Sequence, residues 1–459
     1  MSQLVAPERV LPTLNADGSR NRIRPRLYTG KLHTRRRVTG WALIALFVGL
    51  PFVQVGGKPA VFLDVVERQF SFFGHTYLAT DGVLLMLFML TVFAGVFWLT
   101  ALVGRAWCGW GCPQTVYMEF LFRPIERLFE GRREAQLELD KGGLHWRRVA
   151  KNAVFLLLSF GLANVFLAYF VSTHVLGQWL SESPSRHMSG FLIVAATTGL
   201  MFFDFAYFRE QMCTVVCPYA RLQSALLDRR SLLIGYDALR GEPRSKGKAK
   251  LGHGDCIDCN ACVVSCPTGI DIRQGLQLEC IACGQCVDAC DQIMGKIAKP
   301  PGLIRYASQD ELQTGKKTSL LRTRIVVYSF LLLGLVATSV TALGTKPHAE
   351  VTILRGIGAP FSESGTTVVN QIRVKIRNRT VAVQRFHVEL VGLDAAQLVA
   401  PEDPLPIAAG EQRSTSVFVV VPKTAFRHGA RAVRFRVTDD HGYRAEFPYQ
   451  LLGPEGTSP

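Results

Sequence analysis

Residues 256–267 read Cys256-Ile-Asp-Cys259-Asn-Ala-Cys262-Val-Val-Ser-Cys266-Pro267, and residues 280–291 repeat the pattern as Cys280-Ile-Ala-Cys283-Gly-Gln-Cys286-Val-Asp-Ala-Cys290-Asp291. Each run spaces its cysteines by two, two and three residues. Three close thiolates on a tight loop hold one iron–sulfur cube, and in the bacterial two-cluster pattern the fourth ligates the other cube. The spacing therefore predicts two 4Fe-4S clusters. Cys256, Cys259, Cys262 and Cys290 would hold one, and Cys280, Cys283, Cys286 and Cys266 the other. Asp291 stands where the usual pattern has proline, which weakens a turn preference and removes no ligand. Eight cysteines could also hold two structural zinc ions as Cys-x2-Cys pairs, or pair as disulfides. The doubled spacing favours iron–sulfur over both.

The rest of the chain places this segment beside a membrane. Of 459 residues 48% are hydrophobic, and the mean hydropathy is +0.19, as expected of a chain part membrane and part water-exposed. The net charge of +16 raises nucleic acid as a partner. Its basic residues sit beside apolar runs, however, as in the cytoplasmic loops of membrane proteins. Five apolar runs approach spanning length, at roughly 40–55, 82–103, 152–171, 190–208 and 325–343. The first is short and contains Pro51. The opening residues are polar and Arg-rich and read as no cleavable signal peptide. The alternative, a set of helices buried in a large soluble core, fits poorly with the basic flanks.

Lysine and arginine set the expected orientation. The tail carries Arg20, Arg22, Arg24, Arg26, Lys31, Arg35, Arg36 and Arg37, and the loop after the second run Arg105, Arg123, Arg127, Arg132, Arg133, Lys141, Arg147, Arg148 and Lys151. The other two loops hold only Lys58 and Arg68, and Arg186. The tail and the cysteine segment are thus expected in the cytoplasm. The expected plan is a basic tail over 1–39, a four-helix membrane region over 40–228, a ferredoxin-like α+β domain over 229–324, a fifth span over 325–345 and an outer domain over 346–459. The ferredoxin segment opens with a basic, Gly-rich and flexible stretch over 241–254. In the last domain Ile372, Val374 and Ile376 alternate with Arg373, Lys375 and Arg377. Val417, Val419 and Val421, then Val433, Phe435 and Val437, repeat the period of two. Such short strands separated by turn residues predict an all-β sandwich.

A second cysteine pattern sits at the membrane. Cys108-Gly-Trp-Gly-Cys112-Pro113 and Cys213-Thr-Val-Val-Cys217-Pro218 each follow an apolar run that ends inward. Brought together, the two pairs offer four soft thiolates, suited to Cu(I) or iron–sulfur. They could instead pack as small hydrophobes or form a regulatory disulfide. Weaker candidates are His75, His174, His187 and Met188 in or near outward loops, as copper contacts or solvated side chains. Asp204 and Glu210 flank the end of the fourth run. They would serve a proton step or pair with Arg209 or Arg221. The Arg-rich tail reads as a topology signal that touches lipid headgroups.

The stretch Gly104-Arg-Ala-Trp-Cys-Gly-Trp-Gly-Cys-Pro-Gln-Thr, the stretch Cys213-Thr-Val-Val-Cys-Pro-Tyr-Ala-Arg and the double ferredoxin run resemble the FixG/CcoG/RdxA family of cytochrome oxidase accessory proteins. The resemblance covers nearly the whole chain. It implies an immunoglobulin-like fold for the outer domain and a multi-pass bacterial inner-membrane location. It also implies a cupric reductase that supplies Cu(I) for assembly of cbb(3)-type cytochrome c oxidase. The expected partners are then the oxidase or its copper-assembly factors, membrane lipid and an unidentified electron donor, with no nucleic acid. The implied cluster ligands fall on the eight cysteines above, and the membrane motif on Cys108, Cys112, Cys213 and Cys217 as the candidate catalytic group. Two other readings share parts of the pattern: a quinol-oxidising ferredoxin relay of the nitrate-reductase accessory type, and a non-enzymatic redox sensor or assembly scaffold.

Overall fold

The computed structural model describes residues 9–454 apart from 16, 18, 56–57, 66–68, 74, 79–81, 144, 248–251, 276, 316–318, 320–321, 346, 381 and 427. Arg68 and part of the 241–254 stretch lie outside the described residues, as do the side chains of His75 and Arg221. The chain divides into two units. Met1–Phe52 with Val83–Ser339 form the first, and Val53–Gly82 with Val340–Pro459 the second.

In the first unit, among the described residues, four helices are long and apolar enough to cross a membrane: Gly82–Val103, Trp146–Leu167, Met188–Phe208 and Thr323–Gly344. Their large apolar side chains stay exposed, among them Met89, Phe93, Leu157, Leu200, Phe330 and Leu333. A helix closes its backbone hydrogen bonds internally and can present such a surface to lipid. The first apolar run is not among these four. It forms the second half of the helix Lys31–Gly49, whose first half carries Lys31, Arg35, Arg36 and Arg37. Pro51 lies in a single 3-10 turn, Leu50–Phe52, and the chain then turns extended at Gln54–Val55. Proline has no N–H with which to continue the helical ladder.

The arginines of the tail are tied into the protein. Arg24 is buried; its guanidinium donates to Glu126 Oε1 at 2.5 Å and to both Asp140 oxygens at 3.0 Å. Arg20 lies 3.6 Å from Glu210, and buried Arg36 donates from Nε to the Gly109 carbonyl. The tail also pairs with the ferredoxin segment. Arg26 N donates to Val264 O at 2.8 Å, and Leu32 N and His33 N to the Asp288 carboxylate at 3.2 and 2.7 Å.

The ferredoxin segment is framed by the antiparallel strands Leu233–Tyr236 and Ile304–Ala307. Between them lie the two cysteine loops, each leading into a helix, Ala261–Val264 and Gln285–Lys296. Ile234, Ile270, Ile272, Val287, Met294, Leu303 and Ile304 form its apolar core. The start of the 241–254 stretch is pinned rather than free: Ser245 N and Gly247 N donate to the Cys256 and Ile257 carbonyls, both at 3.0 Å, and Ser245 is buried.

The C-terminal domain of the second unit is an all-antiparallel sandwich. One sheet runs Ala349–Arg355, Thr367–Asn378, Gln412–Pro422, Gln397–Val399, with Ser362–Ser364 also paired to Thr367–Asn378. The other runs Leu405–Ile407, Gln384–Val391, Ala430–Asp439, Arg444–Leu452. The alternating residues read from the sequence turn inward, with Ile372, Val374, Ile376, Val417, Val419, Val421, Phe435 and Val437 fully buried in one core. Asn370 ties the two sheets together, donating to Leu452 O and accepting from Leu452 N, both at 2.9 Å.

Candidate metal centres

The two cysteine loops of the ferredoxin segment share an unusual backbone. Asp258 and Asn260 in the first have φ of 53° and 56°; Ala282 and Gly284, at the same offsets in the second, have 52° and 80°. Left-handed residues between the cysteines turn backbone N–H groups inward. The N–H of Ala282 thereby meets the Cys280 sulfur, and that of Gln285 the Cys283 sulfur. Ala282 adopts this conformation despite its Cβ, held by Tyr306, whose hydroxyl donates to the Ala282 carbonyl at 2.7 Å.

The sulfurs gather into the two crossed groups. Cys290 feels the repulsion of Cys256, Cys259 and Cys262, its partners 28 or more residues upstream. Cys266 likewise lies beside Cys280, Cys283 and Cys286. An enclosed cavity is lined by Cys262, Cys266, Cys280, Cys283 and Cys286, with apolar walls from Ile234, Ile270, Ile272 and Ile281. Cysteines around an apolar-walled space, with N–H groups aimed at the Cys280 and Cys283 sulfurs, fit a 4Fe-4S cluster well. Burial pushes the Cys262, Cys280 and Cys290 thiols up to about 12, and raises Cys283 and Cys286 as well. Thiols held up in this way keep their protons until a metal displaces them, so loading releases protons.

The membrane cysteines form a third group in the same unit. Cys213 lies within electrostatic reach of Cys112, Cys108 and Cys217 together. The two motifs are built alike. Four residues before each first cysteine φ is positive, at Gly104 (59°) and at Arg209 (55°). Each second cysteine donates its N–H to the carbonyl five residues back, Cys112 to Trp107 at 2.9 Å and Cys217 to Met212 at 2.8 Å. Each is then extended (ψ 126° and 110°) before proline opens the next helix. Sequence reading saw the paired motifs and missed this deeper repeat, because Arg209 is not a residue type that announces positive φ. Burial pushes Cys108 up to about 11 and raises Cys112 and Cys213 too.

Buried Gln223 holds Cys108 from the far side. Cys108 Sγ donates to its Oε1 at 3.1 Å, while Gln223 Nε2 donates to the Gly104 carbonyl at 3.1 Å and the Tyr219 hydroxyl at 3.2 Å. This group abuts the second ferredoxin set. Cys108, Cys213, Ile281 and Cys283 pack in one cluster. A Cβ on Gly109 would lie 2.6 Å from Ile281 O and 2.8 Å from Cys283 Cα, so only glycine permits the approach. A further cavity beside Cys213 is also lined by Pro267, Thr268 and Ile281, so it shares a wall with the cavity of the second set. Of the weaker candidates, Asp204 lies within electrostatic reach of Cys112 and Cys213, and Glu210 lines the cavity beside Cys213. His187 pairs with Glu182 at 3.2 Å. Glu210 pairs with Arg20 and Arg209, and Asp204 accepts from Gln114 Nε2 at 3.1 Å.

Spanning helices, clustered buried thiols and a separate β-sandwich define a membrane-associated iron–sulfur electron-transfer protein. Comparison with known proteins agrees. Residues 208–309 match the family model for a 4Fe-4S dicluster domain, 85–133 that for a 4Fe-4S binding domain, and 339–454 that for the immunoglobulin-like fold at the C-terminus of FixG. Protein RdxA of Cereibacter sphaeroides is 33% identical over 400 residues, 81% of this chain and 83% of that one. Protein RdxB of the same organism is 30% identical, over 87% of this chain and 88% of that one. Nitrogen fixation protein FixG of Rhizobium meliloti is 41% identical over 271 residues, 54% of this chain and 49% of its own. The chain belongs to the FixG/RdxA family.

Proposed function

We propose that this chain reduces Cu(II) to Cu(I) at the membrane, for assembly of cbb(3)-type cytochrome c oxidase, with the ferredoxin segment as the electron store and the Cys108, Cys112, Cys213 and Cys217 group as the exit. The observation that carries the reading is the contact of this group with the Cys283 loop through Gly109. When bound, the clusters supply one-electron transfer. The residues of the chain do the rest. Buried isoleucines exclude water from the cluster cavity, and the Gly109 approach brings the two cysteine groups together. The four soft sulfurs suit the redox centre that hands electrons on to copper.

The same reading places the tail and ferredoxin segment in the cytoplasm and the sandwich outside the inner membrane. Support comes from parity. The tail is hydrogen-bonded to the ferredoxin segment, so an even number of crossings separates them. The three long helices between them need the apolar half of Lys31–Gly49 as a fourth. The helix Thr323–Gly344 then puts the sandwich across the membrane, where it would dock the oxidase or a copper-assembly factor. Reporter fusions at Gly247 and Gly453 should give opposite compartments.

The activity test is formation of Cu(I), trapped by a Cu(I)-specific chelator, by anaerobic protein whose clusters have been reduced and then freed of excess reductant, one Cu(I) per cluster electron. The double variant Cys112→Ser/Cys217→Ser should lose at least tenfold in rate while the spectra of the ferredoxin clusters persist. Full activity in that variant would place the copper site elsewhere.

A further inference from the structure

Of the four membrane cysteines, the 4Fe-4S binding family match over 85–133 takes in only Cys108 and Cys112. We infer that the Cys108, Cys112, Cys213 and Cys217 group holds a third 4Fe-4S cluster, bridging the two halves of the membrane region, rather than a single metal ion. The inference builds on the reading of this group as the membrane-side redox centre, and it names the cofactor there.

Four observations converge on it. The first is the local motif. Cys108-x3-Cys112-Pro113 and Cys213-x3-Cys217-Pro218 each reproduce the ending of the first ferredoxin run, Cys262-x3-Cys266-Pro267, an iron–sulfur motif although there the two cysteines serve neighbouring cubes. The second is the dressing of the sulfur. The backbone N–H groups of Gln114 and Thr115 both point at the Cys112 sulfur, as Ala282 and Gln285 do for Cys280 and Cys283. N–H donors to cluster sulfurs are one of the levers by which proteins hold and tune iron–sulfur centres.

The third is the spread of the ligands. Among the described residues no three Cys, His, Asp or Glu side chains stand close enough to share one ion. That holds for the eight ferredoxin cysteines as well as for these four. Both kinds of group are gathered within electrostatic reach yet wider than a mononuclear site. A cube carries each thiolate on a separate iron corner, and so suits that wider spread.

The fourth is the count. The 4Fe-4S binding family model matches 85–133, a stretch that contains only Cys108 and Cys112. A cube needs four thiolates. The repeat at an offset of 105 residues, from Gly104 and Cys108 to Arg209 and Cys213, brings Cys213 and Cys217 to the same place. Each half of the membrane region thus contributes half of one site, and neither half is complete alone.

The test is iron and acid-labile sulfide on the full chain, purified without oxygen, with Mössbauer quantification of cubane iron. Three cubes give about twelve irons and about twelve sulfides per chain, and two give about eight. The double variant Cys112→Ser/Cys217→Ser should fall from about twelve to about eight, with the ferredoxin signals retained. Wild-type protein that saturates at about eight overturns the inference, whether or not the variant folds. So does about one copper per chain that the variant loses while its iron stays unchanged. Cu(I) formation by the same samples reads the proposed function separately. About twelve irons without copper reduction sinks that function alone, and about eight with it sinks this inference alone.

Discussion

Glu126 gathers three buried cations in the first unit, and replacing it with glutamine is a quantitative test of what holds the membrane region together. Arg209 donates to both of its oxygens, at 2.7 and 2.9 Å, Arg24 to Oε1 at 2.5 Å, and Lys151 stands 3.8 Å away. All four side chains are buried. Glu126→Gln keeps the volume and removes the charge. It leaves Arg24, Arg209 and Lys151 to share Glu130, Asp140 and Glu210. Removing one partner of a buried ion pair costs about 3–5 kcal/mol, because the surviving charges stay desolvated. At about 2–4 °C per kcal/mol for a domain of a few hundred residues, Tm should fall by roughly 6–20 °C. The control is Glu446→Gln. Glu446 pairs with Arg436 at 2.8 Å on the surface of the sandwich, where such a pair is worth under about 1 kcal/mol. The guanidinium of Arg209 holds the Glu126 carboxyl well below the usual range, and Arg123 holds that of Glu119 down at about 2. A depressed folded pKa adds stability above the unfolded carboxylate value, near 4.3, and that stability fades as pH falls toward the folded value. The gap in Tm between wild type and Glu126→Gln should therefore narrow from pH 6 toward pH 3. Scanning calorimetry in detergent measures both effects. A variant within 1 °C of wild type at pH 7, or a gap that widens in acid, would refute the reasoning.

Gly30→Ala places a Cβ 2.3 Å from the Asp288 carboxylate and should detach the tail from the ferredoxin segment at a cost of about 1–3 kcal/mol. Trypsin should then cut at Arg26 or Lys31 faster than in wild type. Gly49→Ala meets nothing within 4 Å and should leave the cleavage rate unchanged. Ile372→Ala, fully buried in the sandwich, should destabilise that domain by about 2–5 kcal/mol. In thermal scans of the full chain, the transition of the sandwich should move and the cluster absorbance stay. For the crossed ligation, electron paramagnetic resonance of Cys256→Ser and Cys290→Ser should show one and the same altered cluster, and Cys266→Ser the other. Cys266→Ser and Cys256→Ser altering a single cluster would contradict the crossing.

Much of this architecture could be read from local pattern. Ile372, Val374 and Ile376 announce a half-buried strand because side chains alternate across a sheet, and the long helices announce themselves by unbroken apolar length. The cysteine loops were legible because cluster ligation fixes their spacing. What stayed hidden depends on partners far apart in sequence. Arg24 meets Glu126 across 102 residues, and a charged residue in a basic tail reads the same whether it is solvated or buried. The first apolar run was misjudged in extent because its helix begins nine residues earlier, at Lys31, and stops before Pro51. The likeness of the two membrane motifs lies in backbone torsions at Gly104 and Arg209, of which only the glycine gives a sign in the sequence.

The central claim is that electrons leave this protein to copper through the membrane-face cysteines. Its most direct test is single-turnover reoxidation. Protein reduced with dithionite and freed of excess reductant is mixed in a stopped-flow instrument with Cu(II), or with a soluble quinone. The account predicts that Cu(II) reoxidises the iron–sulfur absorbance with saturable kinetics, with one Cu(I) formed per electron lost. It also predicts at least a tenfold slowing in Cys112→Ser/Cys217→Ser. Reoxidation by quinone but not by copper, or copper reduction at an unchanged rate in that variant, would contradict it.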